Sequence, residues 1–119
     1  MITGVHAIIF TRDADADRAF FRDVLGYPFV DAGDGWLIFK LPPAELGIHP
    51  ADHGVGDGQH QLYLMCDDIE ATLAELAAKG VEIVQTPQDR SYGIEAGIRL
   101  PGGSTLHIYE YKHALAIDL

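Results

Sequence analysis

An α+β fold built from two βαβββ modules that enclose a cup between their sheets is predicted by three features. A strand, Asp, helix, Gly unit occurs twice; apolar or alternating segments follow each unit; and turn residues separate those segments. The chain has 119 residues, the size of one domain. It divides into module one at 1–50, a linker at 51–59 and module two at 60–119.

The first unit is HAIIFTRDADADRAFFRDVLG, residues 6–26, and the second is QLYLMCDDIEATLAELAAKG, residues 61–80. In each, an apolar strand leads to an Asp (Asp13, Asp68) suited to capping a helix, with Asp15, Asp17 and Glu70 in the first turns where the helix dipole favours them. Phe20 with Val24 and Phe21 with Leu25 form the apolar stripe of the first helix; Ile69, Leu73 and Leu76 form that of the second. Gly26 and Gly80 end the helices. Three short segments follow in each half: PFVDA, GWLIFKL and AELGIH, then VEIVQT, YGIEAGIRL and STLHIYEY. Asp34-Gly35 marks a hairpin and Pro101-Gly102-Gly103 the last turn.

Each helix is expected to pack on its own sheet, so that the other faces of the two sheets look at each other. Strand alternation then sorts the residues. Ala7 and Ile9, Leu37 and Phe39, Leu46 and Ile48, Leu62, Leu64 and Cys66, and Leu106 and Ile108 are assigned to the helix side. His6, Phe10, Trp36, Gly47, His49, Gln61, Tyr63, Met65, His107 and Tyr109 are assigned to the cup. Phe10, Trp36, Tyr63 and Tyr109 make an aromatic lining of the kind that binds small molecules. Three histidines, His6, His49 and His107, share this surface.

Composition narrows the partners. The net charge is −10, with 8 Lys and Arg scattered along the chain, which argues against nucleic acid or an anionic membrane. No apolar run approaches the roughly 20 residues of a membrane span, and the start of the chain has no basic segment or cleavage pattern of an export signal. The single cysteine, Cys66, fits a reducing compartment. A cytoplasmic protein is expected.

The segments FFRDVLG, CDDIEATLAELAAKGVEI and LPGGSTLHIYE resemble those of the vicinal oxygen chelate superfamily, which includes glyoxalase I, fosfomycin and bleomycin resistance proteins and extradiol dioxygenases. The resemblance spans essentially the whole chain and implies the glyoxalase/bleomycin resistance-like fold. It also implies a metal held by the first and last strands of each module. Matched by motif, those positions fall on His6, Gln61 and His107, with Gly47 at the fourth. The last-strand carboxylate of the family is replaced by His107, and the turn reads LPGG where DPDG is usual. Two neutral imidazoles and an amide suit zinc, nickel or iron better than magnesium.

Two readings follow. In one, a metal on His6, Gln61 and His107 polarises a small oxygenated metabolite, with His49 for proton transfer, in lyase, isomerase or oxygenase chemistry. In the other, the protein binds and sequesters a small organic molecule without metal, as in the bleomycin-resistance branch. The resemblance also implies a homodimer.

Overall fold

The computed structural model describes residues 6–48 and 59–119. The second half builds as expected: β3 (Tyr63–Cys66), α2 (Ile69–Ala78), β4 (Ile83–Asp89), β5 (Gly93–Arg99) and β6 (Thr105–Tyr111). Its four strands are ordered β3-β6-β5-β4, with β3 parallel to β6 and the other pairs antiparallel. Asp68 caps α2 by accepting from Ala71 N at 3.0 Å, and Gly80, at φ 83, ends it in the left-handed region that glycine adopts without strain. In this half the alternation sorts as assigned. Leu62, Leu64, Cys66, Ala96, Ile98, Leu106 and Ile108 join Ile69, Leu73 and Leu76 of α2 in the core, so that the apolar area removed from water supplies the drive to close the helix onto the sheet.

The first half is smaller than expected. The helix α1 (Ala14–Ala19), capped by Asp13 through Ala16 N, runs on into a wider turn over Phe20–Val24, closed by a bond from Leu25 N to Phe20 O of 3.2 Å. A wider turn reduces the angle between successive side chains, and adjacent Phe20 and Phe21 are both buried. Strands β1 (Phe29–Asp31) and β2 (Leu37–Phe39) pair antiparallel across the Asp34-Gly35 turn, where both residues have positive φ.

Two expected strands are corrected. Residues 6–10 and 44–48 carry no strand. Ile9 packs against the core as assigned, while Phe10 is 89% exposed. Leu46 and Ile48, assigned to the helix side, are 88% and 92% exposed. Neither segment has a ladder partner among the described residues, and alternation gives a strand no face to bury until it is paired.

The helices also share one core where two were expected. A two-stranded sheet is too narrow to cover α1, so Phe20 and Phe21 enter the same cluster as α2 and the large sheet, and Phe21 touches Phe39 of β2 with ring centres 5.7 Å apart. Asp17 ties α1 to the last turn: its Oδ1 accepts from Gly102 N at 2.7 Å. Gly102 leaves room for this join, since a Cβ there would lie 1.9 Å from Thr11 Oγ1.

Candidate functional site

The face of the large sheet turned away from the helices carries Tyr63 and Met65 on β3, His107 and Tyr109 on β6, and Glu95 and Gly97 on β5. Register aligns Tyr63 with His107, His107 with Gly97, and Tyr109 with Glu95. The Tyr63 and His107 rings stack, with centres 5.1 Å apart and planes 22° from parallel. Tyr109 stands edge-on to Tyr63 at 6.0 Å and to Tyr92 at 5.7 Å. Three tyrosines and an imidazole thus stand around Glu95, whose low exposure sets its carboxylate at the bottom of a recess between their rings.

Glu95 forms its floor. It is only 7% exposed, and burial of a carboxylate is costly unless the charge is paired and hydrogen-bonded. The Tyr92 hydroxyl donates to Oε2, the Arg90 Nε lies 3.6 Å from the same oxygen, and His107 Nδ1 lies 3.3 Å from Oε1. His107 Nδ1 is buried and not aligned for a hydrogen bond. The His107 side chain as a whole is 29% exposed. Burial, then the negative charge of Glu95, raises the Tyr63 pKa. Tyr92 is raised by burial and by its hydrogen bond to Glu95. Tyr109 is raised by burial and by Glu45.

Glycine shapes the recess at one decisive point. A Cβ at Gly93 would lie 2.4 Å from Glu110 O and 2.8 Å from the Tyr109 ring, so only glycine lets that ring lie across the start of β5. The hairpin that carries Arg90 and Tyr92 is pinned from β6, because Lys112 N donates to Tyr92 O and Lys112 Nζ to Arg90 O, both at 3.0 Å.

Of the residues expected at the site, Tyr63, His107 and Tyr109 come together here. Trp36 is exposed beside β2. Phe10 lines a groove with Thr11, Arg12, Gly102, Gly103 and Ser104, where none of the other expected residues stands. His6 and Gln61 are exposed, and His49 lies outside the described residues. Glu95 was not among the expected residues, although YGIEAGIRL carries the signal: Ile94, Ala96 and Ile98 take one parity and leave Glu95 the other. Behind this face, Glu110 of β6 accepts from Ile69 N at 3.0 Å and holds the start of α2.

A family model described as Glyoxalase/Bleomycin resistance protein/Dioxygenase superfamily matches residues 4–108. The chain belongs to this superfamily. Two solved structures resemble this chain in fold. Lactoylglutathione lyase from Agrobacterium tumefaciens is 20% identical, with a TM-score of 0.65 over 91% of this chain and 92% of that one. TnmS3, an antibiotic binding protein from Streptomyces sp. CB03234, is 19% identical, with a TM-score of 0.64 over 93% and 98%. Among curated proteins, "Putative glyoxylase CFP32" of Mycobacterium tuberculosis is 31% identical over 87 residues, 68% of this chain. The chain spans only 33% of the length of that relative.

Among the described residues, the metal that the superfamily implies finds a poor donor set. Among the described residues, no three His, Cys, Asp or Glu side chains gather as a metal site requires. The buried nitrogen of His107 faces Glu95, which is already engaged by Tyr92 and Arg90. In helices, likewise, no described segment is long and apolar enough to cross a membrane.

Proposed function

We propose that the chain binds a small planar organic molecule, without metal, on the recess formed by Tyr63, Glu95, His107 and Tyr109. The observation that carries this is the stacked Tyr63–His107 pair over a buried carboxylate. Ring faces give a flat ligand a large contact at low entropic cost, and a few fixed polar groups orient it. The structural likeness to an antibiotic binding protein supports this reading.

A divalent zinc, nickel or iron ion on His6, Gln61 and His107 is the second reading, with His49 for proton transfer. Only the unpartnered Nδ1 of His107 favours it. Metal analysis of untagged protein, with His107→Ala as control, decides between the two. No stoichiometric metal, with binding of planar fragments that His107→Ala weakens, is the expected result; one equivalent of metal lost in the variant overturns it.

The proposal includes a homodimer. Phe29, Val30, Trp36, Leu46 and Ile48 of module one are exposed, and exposed apolar side chains are what a partner copy covers. A second copy would cover it and supply the facing wall of the cup. Light scattering coupled to size exclusion is expected to give twice the 13.0 kDa chain mass; a monomer at all concentrations would contradict it.

A further inference from the structure

Glu95 places a negative charge at the bottom of a recess whose walls are the electron-rich faces and edges of Tyr63, Tyr92 and Tyr109. Such a combination repels carboxylates and phosphates and attracts an organic cation, which gains from the carboxylate and from the ring quadrupoles together. Glu45, which accepts from Ile117 N at 3.2 Å and from Ala116 N, adds a negative charge that, after burial, disfavours ionisation of Tyr109.

The chain supplies one cation of its own. Arg90, half-exposed, holds its Nε 3.6 Å from Glu95 Oε2, beyond hydrogen-bond distance. Its backbone is fixed in the hairpin by bonds with Gly93, but its guanidinium can turn out to solvent without disturbing that hairpin. Tyr92, by contrast, is hydrogen-bonded to Glu95 and stays in place.

We infer that the recess around Glu95 is a subsite for the ammonium group of an amine-bearing ligand, and that Arg90 is a built-in counterion which such a ligand displaces. The inference rests on the reading that this face binds small organic molecules and names the class of molecule. A flat ring placed against the Tyr63–His107 pair would carry a short arm ending in a protonated amine toward Glu95. The net charge of −10 would raise the local concentration of such a ligand.

The test compares 2-phenylethylammonium with 2-phenylethanol, two probes with the same ring and arm and only one charged. Binding is read at pH 7 from chemical-shift titrations. The ammonium is expected to bind about tenfold more tightly than the alcohol. Glu95→Gln, which keeps an acceptor for Tyr92 but removes the charge, is expected to bring the ammonium down to the alcohol's affinity. Arg90→Gln changes a half-exposed side chain and decides the matter even if the Glu95 variant folds poorly: it should strengthen ammonium binding several-fold and leave the alcohol unchanged. Equal affinity of the two probes for the wild type, or weaker ammonium binding in Arg90→Gln, overturns the ammonium subsite while leaving the binding face standing. No binding of either probe overturns both.

Discussion

Adjacent residues on β6 should respond in opposite ways to truncation. Ile108 is 2% exposed and packs between the large sheet and α2, whereas His107 faces the recess. Ile108→Ala removes buried carbon and leaves a cavity in a core that relaxes only in part, at a cost of about 2–5 kcal/mol. A domain of this length has roughly 6–18 kcal/mol in total, so the variant stays folded but lies well below the wild type. With a urea slope of about 2 kcal/mol per molar, the midpoint should fall by roughly 1–2.5 M. His107→Ala should cost less than about 1.5 kcal/mol, since its ring is partly exposed and lies outside the core. Equilibrium urea unfolding, followed by far-UV circular dichroism, measures both. Equal losses, or a larger loss for His107→Ala, would refute the assignment of the two faces.

Further outcomes follow from the contacts around the site. Glu110→Ala frees the Ile69 N–H that Glu110 accepts and should cost about 0.5–2 kcal/mol, as the loss of a helix cap does; a neutral urea midpoint would count against that role. Gly102→Ala puts a Cβ 1.9 Å from Thr11 Oγ1 and 2.9 Å from Asp17 Oδ2, and should cost about 1–3 kcal/mol by overpacking, read as a lower thermal midpoint. At high pH, Tyr63, Tyr92 and Tyr109 should ionise above the usual value of 10.0. Their folded pKa values are raised, so the stability they contribute is present below pH about 10 and is lost as pH climbs through the folded values. Phenolate absorbance would show late titration of these rings, and ordinary titration of all of them would contradict the burial described.

Much of the second module was legible because its alternation is regular and each strand has a neighbour. Leu106 and Ile108 could be separated from His107 and Tyr109 by parity alone, and the Asp68 cap and Gly80 stop by residue type. The same logic applied to YGIEAGIRL would have found Glu95, since a charged residue between Ile94 and Ala96 is as telling as an imidazole between Leu106 and Ile108. In the first module, HAIIF and AELGIH have the composition of strands, yet pairing depends on long-range partners that local pattern does not contain. The sharing of one core by both helices was hidden for a related reason: it follows from the width of the small sheet. Glu110 has helix-side parity, but its bond to Ile69 N joins residues 41 apart in sequence, a contact with no local signature.

Chemical-shift mapping with a flat aromatic amine tests the central claim most directly. Binding on the recess predicts that signals of Tyr63, Glu95, His107 and Tyr109 move together, while those of Leu64, Ile98 and Leu106 on the opposite face stay within noise. Shifts concentrated along α2 or on β1 and β2, with the recess silent, would contradict the account.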